Sequence, residues 1–272
     1  MPQLLDDLDD PRLADYVALT DVALRRRLEP EGGLYIAESE KVIRRALAVG
    51  HRPRSFLMAP RWLEDLADVV TAAEADGIPV FVGDHATIEG LTGFHLHRGA
   101  LAAMHRPPLP SVAEVVDGAQ RVLVLEEIVD HTNVGAIIRS CAGLGVDAVL
   151  VTPRCADPLY RRAIRVSMGT VLDVPVLSSN DLASDLDRLE HEFGLEFLAT
   201  VTDADALPLH QVPRLGRIAV LLGNESEGLD PLWVERCHHR VTIPMRPGAE
   251  SLNVAVAAGI TLFEVLRQWG EI

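Results

Sequence analysis

The stretch HTNVGAIIRSCAGLG, residues 131–145, lies between two apolar runs, VLVLEE at 122–127 and DAVLVT at 147–152. A strand, a glycine-containing turn, a helix and a second strand form the layout of a nucleotide-binding unit. The glycines do not spell the G-x-G-x-x-G fingerprint, which disfavours a dinucleotide-dependent oxidoreductase. Arg139 stands inside the predicted helix among apolar residues. The stretch therefore predicts an α/β fold and raises the question of what a permanently charged side chain does there.

The same pattern continues along the chain from Arg121 onward, where apolar runs bounded by turns alternate with helical segments. The runs occupy residues 121–127, 147–152, 172–177, 196–201, 217–222 and 241–244. Such runs predict a mainly parallel sheet that is covered by helices on both faces. Ligands bind to sheets of this kind beyond the carboxyl ends of the strands, so the loops that follow the runs are the candidate sites.

A smaller α/β pattern occupies the first hundred residues. The predicted helices are 14–29, 35–50 and 61–76, and the predicted strands are 54–60 and 78–84. The proline-rich segment HRPPLPS at 105–111 cannot continue a helix or a central strand. We therefore expect a small first domain over 1–107 with a helical extension at its start, a linker over 108–117 and a second domain over 118–272.

Composition narrows the class of protein. No apolar run approaches the roughly 20 residues of a membrane span, and the acidic start MPQLLDDLDDP lacks the layout of a signal peptide. Cys141, Cys155 and Cys237 form no C-x-x-C pair, which disfavours a disulfide framework or a zinc ribbon. We expect a cytoplasmic protein with no membrane partner and no metal.

The charged residues give conflicting indications about whether the protein binds nucleic acid. The formal net charge of −15, taken alone, argues against it, because phosphate contacts supply most of the non-specific affinity. Lys41 is the only lysine, however, and arginine makes bidentate contacts to phosphate. The arginines cluster at Arg25–Arg27, at Arg52 and Arg54, and at Arg161, Arg162 and Arg165. Each cluster alone is typical of a solvated face, so the pattern permits local contacts to RNA without requiring them.

The loop before the helix of the opening stretch is the first of three loops that carry polar residues. Thr132 or Asn133 can cap that helix, and Arg139 lies on nearly the same face as Thr132, seven positions later. Arg139 either points along a narrow polar groove or forms a structural ion pair with a carboxylate. The loop by itself leaves both interpretations open.

The other two loops follow later strands. In VLLGNESEGLD at 220–230, Gly223 and Gly228 allow tight turns or positive φ, and the backbone amides could hold a polar ligand or belong to an ordinary turn. After the strand that ends at Pro244, Ser251 stands where it could cap the last helix. Asn253 then falls in the first turn, where asparagine is a poor helix former, so capping does not explain it.

Three motifs in these loops carry a family resemblance. They are N-V-G-A-I-I-R-S at 133–140, L-G-N-E-S-E-G-L at 222–229 and I-P-M-x5-S-L-N-V-A-V-A at 243–257. In order, spacing and strand context they resemble the SpoU (TrmH-type) branch of the SPOUT RNA methyltransferases over residues 118–272. The resemblance implies an S-adenosylmethionine-dependent RNA 2′-O-ribose methyltransferase with a deep trefoil knot near its C-terminus, usually a homodimer.

The first domain resembles the auxiliary RNA-binding domain of this family, which is similar to ribosomal protein L30e. The resemblance rests on GLYIAESEKVIRRAL at 33–47 and HRGALAAMHRPP at 97–108. It departs from the family at Ser39, where glycine commonly follows the acid. A domain of this kind favours ribosomal RNA over transfer RNA as the substrate, and DNA is not expected to react because it lacks the 2′-hydroxyl.

The resemblance also implies roles for individual residues. Arg139 matches the catalytic arginine, and the polar set around it is Asn133, Glu225, Ser251 and Asn253. The matching cofactor positions are Thr200, Val201, Leu222, Gly223, Asn224, Ile243, Met245, Ser251 and Leu252. The expected RNA contacts of the first domain are Arg25, Arg26, Arg27, Arg52 and Arg54. Because arginine is normally charged and a poor base, Arg139 either takes the 2′-hydroxyl proton in an unusual environment or only orients the ribose. A transfer-RNA methyltransferase and a non-catalytic RNA-binding protein of the same fold remain the alternatives.

Overall fold

The computed structural model describes residues 1–5, 8–95 and 100–269. The first three residues of the HRGALAAMHRPP motif, 97–99, lie outside the described residues. Within those ranges, every helix is too short or too polar to cross a membrane.

The elements are numbered in chain order. The strands are β1 (Gln3–Leu4), β2 (Leu34–Glu38), β3 (Pro53–Met58), β4 (Val80–Val82), β5 (Ala100–His105), β6 (Arg121–Leu125), β7 (Ala148–Val151), β8 (Val176–Ser178), β9 (Glu196–Thr200), β10 (Leu207–Pro208), β11 (Ile218–Leu222) and β12 (His239–Thr242). The α-helices are α1 (Val22–Glu31), α2 (Glu40–Ala48), α3 (Trp62–Asp65), α4 (Ala67–Ala75), α5 (His85–Thr92), α6 (Val112–Val115), α7 (His131–Leu144), α8 (Arg161–Val166), α9 (Leu182–His191), α10 (Pro231–Arg236) and α11 (Val254–Trp269).

The chain divides into two compact units. The first consists of Met1–Pro108 together with Leu159–Leu172, and the second of Leu109–Pro158 together with Asp173–Ile272. The excursion that carries α8 therefore packs with the N-terminal unit, although the sequence pattern placed it inside a continuous second domain. The predicted linker contains α6, a single helical turn with a Ser111–Glu114 capping box.

The second unit is built on a sheet of seven strands in the order β10-β12-β9-β11-β6-β7-β8. All neighbouring strands of this sheet are parallel. The central strands β6 and β11 are buried over nearly all their residues, because helices cover both faces of such a sheet. Val124, Phe197 and Leu221 lie fully buried in its main apolar cluster. The predicted α/β class with a mainly parallel sheet is confirmed.

The first unit has a mixed sheet in the order β1-β4-β3-β5-β2. Strands β1, β3 and β4 run parallel to their neighbours in that group, and β5 runs antiparallel to both β2 and β3. Leu13, Ile36, Leu57 and Phe81 are among the buried residues of its core.

The predicted helix over 35–50 is wrong in its first part. Leu34–Glu38 is strand β2, and the helix begins at Glu40. Residues 34–37 are all buried, which suits a strand within a sheet but would leave a surface helix without a polar face. The change of direction occurs at Ser39, whose φ of 88° is unusual for a residue other than glycine.

The predicted helix over 14–29 is interrupted. A 3-10 turn covers Pro11–Tyr16, and Ala18 has a φ of 49°, so the chain leaves the helical region there. Helix α1 begins afresh at Val22, where the Asp21 side chain accepts a hydrogen bond from the Leu24 amide at 2.9 Å.

Candidate active site

A cavity of about 930 Å³ opens at the carboxyl ends of β9, β11 and β12, beside the start of α11. The nine residues predicted to bind the cofactor all line it. They are Thr200, Val201, Leu222, Gly223, Asn224, Ile243, Met245, Ser251 and Leu252. A ligand site at this edge of the sheet is the position expected for an open parallel α/β sheet. The structure thus gathers positions that are up to 52 residues apart in the chain onto one wall.

A chain of side-chain hydrogen bonds runs along this wall. Asn133 Nδ2 donates to Glu225 Oε1 at 2.9 Å, and Asn253 Nδ2 donates to Asn133 Oδ1 at 3.0 Å. All three residues line the cavity. Because the Asn133 amide donates to one neighbour and accepts from the other, the three side chains fix each other's orientation. Three of the four residues predicted to surround Arg139 therefore interact directly.

The caps of the two helices at this wall differ from those predicted. Asp130, and not Thr132 or Asn133, caps α7, because its Oδ1 accepts from the Thr132 and Asn133 amides at 2.5 and 3.2 Å. Asn253, and not Ser251, caps α11, since its Oδ1 accepts from the Ala255 and Val256 amides. Asn253 thus precedes the helix, and Asn133 keeps its side chain for Glu225 and Asn253.

The loop at 223–229 folds tightly onto its own strand. Asn224 Oδ1 accepts from the Ser226 and Glu227 amides, and Asn224 and Gly228 form a bridge. Gly228 has the positive φ, 76°, that the sequence suggested. Gly223 serves another purpose, because a Cβ there would lie 2.0 Å from the Leu229 nitrogen. Only glycine permits this approach of two backbone segments.

Two glutamates at the end of β6 were not singled out from the sequence. Glu126 is buried, and its Oε2 accepts from the Asp230 amide at 2.8 Å; burial raises the pKa of its carboxyl group. Glu127 has a φ of 56°, which costs a residue other than glycine about 1–2 kcal/mol. Its carbonyl accepts from Asn224 Nδ2 at 2.9 Å. The sequence feature that could have identified them is a pair of acids directly after a buried strand.

The charges around the cavity are mostly negative. The acids that line it are Asp203, Glu225, Glu227, Glu235 and Glu250. Arg240 also lines it and forms ion pairs with Asp203 and Asp205. The lining therefore favours a ligand that carries positive charge. Asp203 and Arg240 were not predicted from the sequence, although the two acids of TDAD at 202–205 lie within five residues of the end of β9.

Arg139 does not line this cavity. It is exposed, and among the described residues it has no hydrogen-bonding or ion-pair partner. The structural ion pair that the sequence left open is thus not formed within the described chain. Six positions separate Arg139 from Asn133, which turns their side chains to different sides of α7. Ser251 lies at the cavity but is exposed and outside the chain of hydrogen bonds.

The predicted RNA contacts of the first unit differ in exposure. Arg26, Arg27 and Arg52 are exposed. Arg25 is only 1% exposed, and its Nε donates to Glu29 Oε1 at 2.9 Å one helical turn away. Arg25 is therefore not available to RNA, and that prediction is wrong.

Arg54 is partly available. Its Nε lies 3.2 Å from Asp15 Oδ2, and its Nη1 donates to the Gly32 carbonyl at 2.9 Å. Its guanidinium is held against the first unit, so only part of it faces solvent.

Comparison with known proteins agrees with the fold and with the family that the motifs indicated. Residues 120–263 match the SpoU rRNA Methylase family. The chain is 42% identical to an uncharacterized tRNA/rRNA methyltransferase of Mycobacterium bovis, over 96% of this chain and 90% of that protein. It is 31% identical to the 23S rRNA (guanosine-2′-O-)-methyltransferase RlmB of Acinetobacter baylyi, over 78% of this chain and 88% of that protein. Its fold is similar to that of the AdoMet-bound rRNA methyltransferase from Sinorhizobium meliloti, with a TM-score of 0.85 and 24% identity over 98% of each chain.

The chain belongs to the SpoU family of RNA methyltransferases. Its α/β architecture with seven parallel strands is the SPOUT fold. The family that the three motifs indicated is confirmed.

Proposed function

We propose that this protein transfers the methyl group of S-adenosylmethionine to a ribose 2′-hydroxyl of ribosomal RNA, in the cytoplasm. The observation that carries the proposal is the Glu225–Asn133–Asn253 chain of hydrogen bonds on the wall of a cavity at the carboxyl edge of a parallel sheet. Ribosomal RNA is preferred because the relative with a defined activity is named for 23S rRNA.

The cavity fits the proposed cofactor in size and charge. Its volume of about 930 Å³ lies within the range of roughly 300–1,000 Å³ that small-molecule sites occupy. S-adenosylmethionine carries a sulfonium centre, and the acids of the lining favour positive charge. The loop amides of 222–224 and the segment around Met245 and Leu252 would hold it largely through backbone groups. When bound, it supplies an electrophilic methyl group.

The chain's own residues supply position and charge. A ribose 2′-hydroxyl is a weak nucleophile, so most of the catalytic effect must come from holding it in line and from accepting its proton. Asn133 and Asn253 fix the Glu225 carboxylate at the cavity wall. In this proposal that carboxylate accepts the hydrogen bond of the 2′-hydroxyl and then its proton as the methyl–sulfur bond breaks, and the Arg139 guanidinium donates to the ribose or its phosphate, where it stabilises negative charge.

A homodimer brings Arg139 to such a cavity. Arg139 is exposed and absent from the lining of its own cavity, which supports completion of the site by a second copy. Helix α11 presents Val256, Ile260 and Phe263 at the spacing of one helical face, 51%, 38% and 51% exposed. An apolar groove of about 350 Å³ lies beside them. This face fits the same face of another copy.

The knot and the role of the first unit complete the proposal. The trefoil knot is carried over from the family resemblance, and the shared lining of one cavity by the 223–229 loop and the segment that precedes α11 supports it. The exposed residues Arg26, Arg27 and Arg52 support RNA binding by the L30e-like first unit.

Methyl transfer from labelled S-adenosylmethionine tests the proposal. Ribosomal RNA, transfer RNA and DNA of matched sequence are incubated with the protein, digested to nucleosides and separated by mass. We expect a 2′-O-methylated nucleoside from ribosomal RNA and none from DNA. Label in transfer RNA alone would exclude the proposed substrate, and RNA binding without any transfer would exclude the enzyme.

A further inference from the structure

Arg154 lies at the carboxyl edge of the seven-stranded sheet, and the proposed mechanism does not use its positive charge. It follows β7 by three residues, and its side chain is 73% exposed. Its Nη2 donates to Oε2 of Glu127, which follows the end of β6 by two residues. Since β7, β6 and β11 are successive neighbours in the sheet, the carboxyl ends of β7 and β11 are separated by two strand spacings, about 10 Å.

Glu127 connects Arg154 to the wall of the cavity. Its amide donates to Thr152 Oγ1 at 3.0 Å, and its carbonyl accepts from Asn224 Nδ2 at 2.9 Å. Asn224 lines the cavity and organises the 223–229 loop. The positive φ of Glu127 is held by these contacts, and backbone strain of this kind clusters at functional sites. The Arg154 guanidinium is therefore set in place by the same residues that build the cavity wall.

The negative charge at the carboxyl edge of the sheet suggests a role for Arg154 in RNA binding. Glu225 and Glu227 border the cavity and repel an approaching RNA phosphate. A cation close to them offsets that repulsion where the ribose must enter. Glu127 occupies one of the five N–H donors of the Arg154 guanidinium, and most of the group faces solvent. The remaining donors form a fork of the geometry that binds phosphate.

We propose that Arg154 is a phosphate-binding subsite for the RNA substrate, oriented by Glu127 at the mouth of the cofactor cavity. This inference rests on the proposed function, because it assumes that the ligand at this edge is RNA. It assigns Arg154 to substrate binding and not to cofactor binding or to the transfer step.

The test compares Arg154→Ala and Arg154→Lys with the control Arg188→Ala. Arg188 is a partly exposed arginine of the second unit and is also paired with a glutamate, Glu192, but it lies on α9. For each protein, the Kd for 23S rRNA fragments is measured by filter binding at several salt concentrations. The Kd for S-adenosylmethionine is measured by calorimetry, and methyl transfer is measured separately.

In Arg154→Ala, loss of one charged phosphate contact raises the RNA Kd about tenfold. The slope of log affinity against log salt falls by about one. Arg154→Lys keeps the slope, and the S-adenosylmethionine Kd stays within about twofold of wild type, because Arg154 does not line the cavity. An RNA Kd and slope equal to those of Arg188→Ala would overturn the subsite. A parallel loss of S-adenosylmethionine affinity would also overturn it, since it would show a role in supporting the 223–229 loop.

The two proposals can fail separately. If wild type transfers no methyl group to RNA, the proposed function fails, and the salt dependence of RNA binding still decides the role of Arg154. If wild type transfers methyl groups and Arg154→Ala binds RNA as tightly, only the subsite fails. If wild type does not bind RNA, both fail.

Discussion

The side chain of Asn133 donates a hydrogen bond to Glu225 at 2.9 Å, although 92 positions separate the two residues in the chain. The same side chain accepts from Asn253, so α7, the loop after β11 and the start of α11 meet at one amide group. None of these segments needs the contact for its own local structure. The contact therefore supports assignment of this amide to the site and not to the stability of one element.

Asn253 has two roles that substitution can separate. Asn253→Ser keeps an oxygen that caps α11 but removes the Nδ2 donor to Asn133. We expect unchanged stability within a few tenths of a kcal/mol and a fall in kcat of about tenfold or more, because the side chain of Asn133 loses one of its two anchors. Asn253→Ala should lose the cap as well and cost about 1 kcal/mol. Urea unfolding and steady-state kinetics measure the two effects; equal kcat for Asn253→Ser and wild type would contradict a role in the site.

Gly223 tests the tight packing of the 223–229 loop. In Gly223→Ala the added Cβ would meet backbone atoms of Leu229 at 2.0 and 2.2 Å, which no side-chain rotation relieves. We expect a loss of more than about 4 kcal/mol of stability and of S-adenosylmethionine binding. Gly143→Ala on α7 is the control, since its Cβ would have open space and alanine favours a helix by about 1 kcal/mol. Urea midpoints and calorimetry decide; a soluble Gly223→Ala that binds the cofactor normally would refute the packing argument.

Arg25 and Arg26 are neighbours, but we expect removal of Arg25 to lower stability and removal of Arg26 to weaken RNA binding. Arg25→Ala removes a buried guanidinium that pairs with the buried Glu29 carboxylate and should destabilise the protein by about 3–5 kcal/mol. Arg26→Ala, at an exposed position, should change stability by less than about 0.5 kcal/mol while weakening RNA binding. Unfolding and filter-binding measurements give the two quantities. The assignment is wrong if Arg25→Ala is as stable as wild type or if Arg26→Ala binds RNA unchanged.

Phe263 tests the proposed homodimer. Phe263→Asp places a charge on the exposed apolar face of α11, and burying that charge in an interface is unfavourable. We expect wild type at twice the chain mass by light scattering and the variant at the chain mass, with S-adenosylmethionine binding retained and methyl transfer lost. The control is Leu232→Asp on α10, where leucine is 60% exposed outside this face. A monomeric wild type with full activity would exclude completion of the site by a second copy.

The sheet and the position of the site followed from the sequence for a physical reason. Parallel strands that are buried on both faces read as continuous apolar runs, and the runs at 121–127 and 217–222 became the central strands β6 and β11. The strand pattern indicated only that the loops at the carboxyl ends were candidate sites. The family resemblance assigned Gly223, Asn224 and Ser251 to one cofactor site, and all three line one cavity.

The features that could not be predicted from the sequence depend mostly on contacts between distant segments. Strand β5, ALAAMH, is rich in alanine and has little intrinsic preference for a strand; its pairing with both β2 and β3 decides its structure. Arg25 looks solvated in an arginine run, and only the packing of the folded unit buries it. Asn253 looked like a misplaced helical residue because the start of α11 could not be fixed to within two positions.

Methylation of a ribose 2′-hydroxyl of ribosomal RNA and the action of Arg139 in the transfer can be tested together. The most direct measurement is ribose-methylation sequencing of ribosomal RNA from cells that lack the gene and from the same cells supplied with wild type or with Arg139→Ala. We expect one site that is unmethylated in the deletion strain, methylated again when wild type is supplied, and still unmethylated when the folded Arg139→Ala variant is supplied. The kcat of Arg139→Ala should fall by about 10²–10⁴-fold. The Kd of this variant for S-adenosylmethionine should be unchanged, because Arg139 does not line the cofactor cavity of its own chain. Identical ribose methylation of ribosomal RNA in all four strains, the parent included, would contradict the claim.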